Sequence, residues 1–107
     1  MRNEVRKGYN GWKNYETWVA NLWLDESYHA VCEIVDQCIR ESDDKDDAIN
    51  RLRGDLKEFM ELDVPDLGPS FFAYMLSSAL HAIDWHEIAE HRIEVRWTDD
   101  LASVDDE

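Results

Sequence analysis

The chain has 107 residues, a length that suits one domain with a single core. Its hydrophobic content of 44% and aromatic content of 11% exclude a wholly disordered chain. Its net charge of −14 is unusual, because a small domain needs a charge of only about 2–8 for solubility. The acid lies mainly after residue 24, since residues 1–24 hold four basic and two acidic side chains. Such a protein is expected to repel nucleic acid and to attract basic partners.

No apolar run approaches the roughly 18 residues of a membrane span, and the first residues lack the layout of a signal peptide. Cys32 and Cys38 lie six residues apart on a predicted helix, where their side chains diverge too far to form a disulfide. We therefore expect reduced thiols and a cytoplasmic protein that does not contact a membrane.

The stretch Gly8–Leu24 carries three tryptophans and two tyrosines. Gly8 and Gly11 predict a loop, so residues 1–12 are interpreted as an N-terminal arm and an aromatic loop. Asn14 suits the N-cap of a helix over 15–24. The large apolar residues of that helix recur at helical spacing and predict a buried aromatic face: Tyr15, Trp18, Val19, Leu22 and Trp23. We interpret this stretch as scaffold rather than binding surface.

Two further amphipathic helices are predicted, at about 28–40 and 46–61. Aspartates precede the second of them, where they can accept hydrogen bonds from its free N–H groups. Residues 70–83 carry no charged side chain apart from His81 when it is protonated, and they predict a fourth helix that is the most buried element.

A last helix is predicted from the capping-box spacing of Asp84 and Glu87, with Trp85, Ile88 and Ile93 on its inner face. It is expected to end near residue 95, and residues 97–107 are expected to form a flexible acidic tail. The predicted fold is all-α, a small single-domain bundle of about five helices. Its aromatic-rich core is predicted to contain Trp12, Tyr15, Trp18, Leu22, Trp23, Phe72, Trp85 and Ile88.

Candidate catalytic and metal sites are weak. His86 and His91 are five residues apart, so they diverge on a helix, whereas zinc-protease motifs need a spacing of four. His29, Cys32 and Asp36 share a helix face, but a structural zinc site needs a fourth ligand. The abundant carboxylates do not single out a catalytic pair. We therefore predict no catalytic residues, no metal, no cofactor and no enzyme activity.

The remaining signal is the acidic surface predicted around the third helix. Duplex DNA carries about one charge per 1.7 Å, so a net −14 corresponds to about 24 Å of duplex. Such a surface would fit a basic channel that normally holds nucleic acid. The alternatives are a merely solvating surface or adaptation to high salt. The residues of the acidic surface are Asp43, Asp44, Asp46, Asp47, Asp55, Glu58, Glu61, Asp63 and Asp66.

Two motifs carry a resemblance to a known family. The segment 9–25, YNGWKNYETWVANLWLD, resembles the N-terminal signature of small proteins from phages, archaeal viruses and plasmids. Members often carry a later D-W-x-E-I-A-E segment, which is similar to residues 84–90, DWHEIAE. The resemblance implies a shared fold and a mobile-element context, but no catalytic residues. Small acidic proteins in that context include anti-CRISPR and antirestriction proteins.

Composition and resemblance together predict a non-enzymatic inhibitor of a host nucleic-acid-binding defence complex, acting in the host cytoplasm. Its partner would be a basic protein, with no direct binding to nucleic acid. The alternative is a structural or adaptor protein that docks through an apolar patch or forms a homodimer. A third alternative is a cofactor-bearing or metal enzyme, which elemental analysis without bound metal would weaken.

Overall fold

The computed structural model describes residues 9–105, with side chains described up to residue 97. It contains five α-helices: α1 (Tyr15–Leu24), α2 (Tyr28–Arg40), α3 (Lys45–Glu61), α4 (Phe71–Ala82) and α5 (Trp85–Asp105). A 3-10 turn at Asp25–Ser27 joins α1 directly to α2, so the five helices form four continuous helical segments. The described part of the chain has no named β-strand, which confirms the all-α single-domain prediction. Residues 1–8 of the predicted arm lie outside the described residues.

Short polar side chains cap four of the five helices, and the caps of α1, α3 and α5 agree with the sequence prediction. The side chains of Asn14 and Asp44 accept hydrogen bonds from the first turns of α1 and α3. Ser70 does the same for α4, and the Asp84 carboxylate accepts the N–H of Glu87 at 3.0 Å at the start of α5. These local capping bonds explain why the starts of α1, α3, α4 and α5 could be predicted within one residue.

The core lies between α2, α3 and α5, with a smaller contribution from α1. Helix α3 packs mainly on α5 and α2. The predicted inner face of α5 is confirmed, because Trp85 is 8% exposed and Ile88 and Ile93 are fully buried. The other buried apolar residues are Ala20, Leu24, Val31, Val35, Cys38, Ala48, Ile49, Leu52, Leu56 and Ala89.

The predicted aromatic face of α1 is wrong. The helix buries its opposite side, on which the small residues Thr17 and Ala20 lie with Leu24. The large apolar residues point away, so Tyr15 is 51%, Leu22 50% and Trp23 66% exposed. The small side chains allow α1 to approach the core closely, and bulky rings on that side would hold it away. Three of the predicted core residues are therefore surface residues; Trp12 and Trp18 are half-buried.

The prediction that α4 is the most buried helix is also wrong. No residue of α4 is buried, and Phe72, which was predicted to lie in the core, is 67% exposed. Among helices, α4 contacts mainly α1, because α2, α3 and α5 already fill the core with one another. The high hydropathy of α4 predicted a helix that is shielded from water. Hydropathy alone does not show whether residues of the same chain shield it.

Helix α5 continues beyond its predicted end near Val95 and reaches Asp105. Two residues of the added turn explain the difference: Trp97 packs against the core, and Arg96 pairs with Asp36 of α2. These contacts hold the helix past the point at which its sequence becomes acidic. The structure thus assigns helix to residues 97–105, where the sequence predicted a flexible acidic tail, and residues 106–107 lie outside the described residues.

Candidate functional surfaces

The acidic surface predicted from the sequence surrounds α3 and its two flanking loops. Eight of its nine residues are exposed, and Asp47 is half-buried. Four of the carboxylates lie at the N-terminal end of the helix, which 17 residues make about 25 Å long, and the other five lie between Asp55 and the loop after the helix. At the N-terminal end lie the four residues that we name the N-terminal acidic cluster: Asp43, Asp44, Asp46 and Asp47.

Basic side chains interrupt the acidic surface along the middle of α3. The helix holds five acidic and four basic residues, so its charge is nearly balanced. Arg51 pairs with Asp47 at 3.3 Å, and Lys57 lies 3.7 Å from Glu61. The charge and hydrogen bond of Asp47 raise the pKa of Arg51. The acidic surface is therefore interrupted by basic side chains along α3.

Several carboxylates of the acidic surface have local structural roles. Asp44 caps α3 by accepting the N–H of Asp47 at 2.8 Å, and Asp66 accepts the N–H of Gly68 at 3.0 Å. Asp55 accepts a hydrogen bond from the buried Cys38 thiol at 3.3 Å. Burial, reinforced by this carboxylate, raises the pKa of Cys38 to about 12. These three residues have a structural role whether or not they contact a partner.

Four residues of the acidic surface form neither an ion pair nor one of these local hydrogen bonds within the described part of the chain: Asp43, Asp46, Glu58 and Asp63. All four are exposed. Two of them belong to the N-terminal acidic cluster, where Lys45 extends away to Glu94 of α5 at 3.0 Å. The N-terminal acidic cluster therefore offers two carboxylates, Asp43 and Asp46, that neither pair with a described cation nor cap the helix.

A second surface, whose residues the sequence did not identify, is apolar. It lies on α1 and α4, whose 22 residues include a single carboxylate, Glu16, and no lysine or arginine. On α4, Tyr74 is 79% exposed and Met75 is 54% exposed. We define the apolar surface as Tyr15, Val19, Leu22 and Trp23 of α1 with Phe71, Phe72, Tyr74 and Met75 of α4.

The two helices that carry the apolar surface are neighbours. Besides their direct contact, the Asn14 side-chain amide donates a hydrogen bond of 2.8 Å to the carbonyl of Ala82, at the end of α4. Rings also pack beside α1, since Tyr9 lies 4.9 Å from Trp18 and 5.2 Å from Tyr15 between ring centroids. The tight turn that places Tyr9 there has positive φ angles at Asn10 and Gly11, the residue pair that favours this turn.

The two motifs of the sequence resemblance meet in a polar network at the base of α1 and α5. Thr17 is fully buried, and its hydroxyl donates to the Asn14 carboxamide oxygen at 2.7 Å. The same hydroxyl accepts the N–H of Asp84 at 2.8 Å. The carboxylate of Glu87, itself 9% exposed, accepts the N–H of Lys13 at 3.0 Å. Buried polar groups need hydrogen-bond partners, and here the residues of the two motifs provide them for one another. The motif residues thus have a structural role, since they connect α1 to the start of α5.

Further charged contacts join α5 to the first half of the chain. Arg96 donates to both carboxylate oxygens of Asp36, at 2.8 and 3.0 Å. This guanidinium lowers the pKa of Asp36. Arg92 donates to the side chain of Asn21 at 2.8 Å and to Asp25 at 3.0 Å. These bonds use both arginines of α5 to hold the bundle together.

The candidate zinc and histidine sites are not assembled. Asp36 is engaged by Arg96, while His29 is exposed and its ring lies beside Tyr28. The His91 ring packs edge-on against Trp12 with centroids 5.3 Å apart. In the part of the chain that the structure describes, no three His, Cys, Asp or Glu residues are grouped to hold a metal ion. Likewise, no helix there is long and apolar enough to cross a membrane.

Comparison with protein-family models matched residues 5–99 to a family of unknown function, DUF7249. No curated protein and no solved structure matched the chain. The matched region includes both motifs of the polar network and both helices of the apolar surface. Because the match covers most of the sequence, the chain belongs to the family of unknown function DUF7249.

Proposed function

We propose that this protein is a non-enzymatic inhibitor that occupies a basic, nucleic-acid-binding surface of a host protein. The observation that carries the proposal is the N-terminal acidic cluster, where Asp43 and Asp46 are exposed and form no ion pair with the described residues. Exposed carboxylates attract basic surfaces over distances of about a Debye length. The sequence resemblance supports a mobile-element origin, and hence an anti-CRISPR or antirestriction role in the host cytoplasm.

The distribution of charge along α3 favours a contact in which the basic partner binds at the two ends of this helix. Arg51 and Lys57 would repel a basic partner at the middle of the helix, so the strongest attraction is expected at the N-terminal acidic cluster. The loop after α3 adds Asp63 and Asp66 about 25 Å away. A basic groove that follows a nucleic-acid backbone would meet both groups of carboxylates.

The test uses the full chain as bait in host lysate, followed by mass spectrometry of the captured proteins. A captured nucleic-acid-binding protein should be released by about 0.5 M salt and displaced by excess duplex DNA, because both weaken or compete with charge contacts. Capture that withstands both treatments would contradict the proposal.

A pair of charge reversals locates the contact. Asp43→Lys with Asp46→Lys should reduce the captured amount at least tenfold, and neither carboxylate is the cap of α3. The matched control is Glu26→Lys with Glu33→Lys, which changes the net charge equally at exposed positions outside the acidic surface. If both double variants captured equally reduced amounts of the partner, binding would depend only on the overall charge and not on the N-terminal acidic cluster.

A structural or adaptor role is the second candidate, and the exposure of the apolar surface favours it. In that case the acidity would serve only solubility or salt adaptation. Binding would then be insensitive to salt and to the Asp43 and Asp46 reversals, whereas substitutions at Trp23 or Tyr74 would abolish it.

A further inference from the structure

We infer that the apolar surface of α1 and α4 is the interface of a homodimer, covered by a second copy of this chain. The inference is independent of the proposed inhibitor function, because the acidic surface lies on α3 and its flanking loops.

The first argument is that the described residues of one chain do not cover α4 sufficiently. A helix of 12 residues is marginal in water by itself, and most helical stability in proteins comes from packing. Yet no residue of α4 is buried, and Phe71, Phe72 and Tyr74 are each at least two-thirds exposed. A helix with this composition needs another apolar surface against it.

The second argument is the size of the exposed area. Five aromatic side chains of the apolar surface are 51–79% exposed: Tyr15, Trp23, Phe71, Phe72 and Tyr74. At about 150–250 Å² for each side chain, they leave on the order of 600 Å² uncovered. Leu22, Val19 and Met75 add to this area. The total approaches the roughly 800 Å² that each partner buries in a stable interface of standard size.

The third argument is charge, which restricts a second copy to an uncharged part of the surface. Two copies that each carry −14 repel one another, so they can associate only where the contact itself lacks charge. Helices α1 and α4 meet that condition, since Glu16 is their only carboxylate. A two-fold contact would place the apolar side chains of one copy against those of the other.

The dimer and the inhibitor proposal predict opposite effects of salt. Raising the salt concentration screens the repulsion between two acidic copies, so it should strengthen the dimer. The same change should weaken binding of a basic partner to the N-terminal acidic cluster. Failure of one proposal can therefore be distinguished from failure of the other.

The test is sedimentation equilibrium of the full chain over a range of protein concentrations, at about 0.05 and 0.5 M salt. The expected mass rises with concentration from 12.6 kDa to twice that value, with tighter association at the higher salt. A mass of one chain at every concentration, or association that salt weakens, would overturn the inference.

Two matched substitutions locate the interface. Tyr74→Ser should weaken the dimer at least tenfold, because this ring is 79% exposed and lies on the apolar surface. Leu62→Ser is the control, since Leu62 is 77% exposed but lies in the loop after α3. Circular dichroism should show both variants folded. A dimer that Tyr74→Ser leaves intact, or that Leu62→Ser weakens equally, would contradict this interface.

Discussion

The bundle of α2, α3 and α5 and the pair of α1 and α4 use apolar residues in opposite ways. In the bundle, helices with charged outer faces bury their apolar stripes against one another, and Leu52, Leu56 and Ile93 are fully buried. In the pair, the helices are almost uncharged, yet their largest side chains face outward. Hydropathy therefore shows which residues avoid water, but not whether the same chain or another molecule covers them.

The largest expected effect separates a core leucine from a leucine of the apolar surface. Leu52→Ala should lower the free energy of unfolding by about 2–5 kcal/mol, because the site is fully buried and a cavity would remain. Leu22→Ala should change it by about 0.5 kcal/mol or less in the monomer, since Leu22 is 50% exposed. Urea unfolding at a protein concentration that keeps the chain monomeric measures both. Similar losses for the two variants would remove the contrast between the regions.

An intermediate effect is expected at the joint between the two regions. Thr17→Val keeps the shape of the side chain but leaves the N–H of Asp84 without its hydroxyl acceptor, so it should cost about 1–3 kcal/mol. Thr17→Ser retains the hydroxyl and serves as the control. In urea unfolding, the free energy of unfolding should be higher for Thr17→Ser than for Thr17→Val. The reverse order would argue against a structural role for this hydrogen bond.

The smallest effect is expected for the ion pair between α2 and α5. Asp36→Asn should cost less than about 1 kcal/mol at neutral pH, because solvent screens two side chains that are about one-third exposed. The folded-state pKa of Asp36 is lowered, so the pair stabilises the fold above the usual aspartate pKa of about 3.9. Its contribution disappears as the pH falls through the lowered folded value.

Urea unfolding of wild type and Asp36→Asn between pH 7 and pH 2 measures this dependence, within the range where both remain folded. The difference between the two proteins should shrink toward zero in acid. Glu33→Gln provides the control, because Glu33 is exposed on the same helix and forms no ion pair with the described residues. A constant difference across the pH range would contradict the assigned role of the pair.

The helices could be predicted from the sequence because their signals are local. Asn14, Asp44, Ser70 and Asp84 each satisfy N–H groups within the next turn, which fixes where a helix begins. The buried faces of helices were predictable where an apolar stripe lies opposite a charged stripe, as in α3 and α5. They were not predictable in α1, whose two sides both lack charge apart from Glu16.

The candidate surfaces were predictable only in part, for a similar reason. Composition located the acidic residues, and the structure places them around α3, but pairing such as that of Arg51 with Asp47 depends on side-chain geometry. The apolar surface was missed because Thr17 and Ala20 carry the inward side of α1. Thr17, Ala20 and Leu24 recur at helical spacing. This face of small residues was the sequence signal that could have predicted the inward side of α1.

Hydrogen–deuterium exchange of the full chain, below and above the concentration at which it dimerises, tests the central contrast most directly. The amides of α3 should be strongly protected at both concentrations, because they belong to the buried bundle. The amides of α4 should exchange rapidly in the dilute sample and become protected in the concentrated one. Protection of α4 equal to that of α3 in the dilute sample would contradict the account.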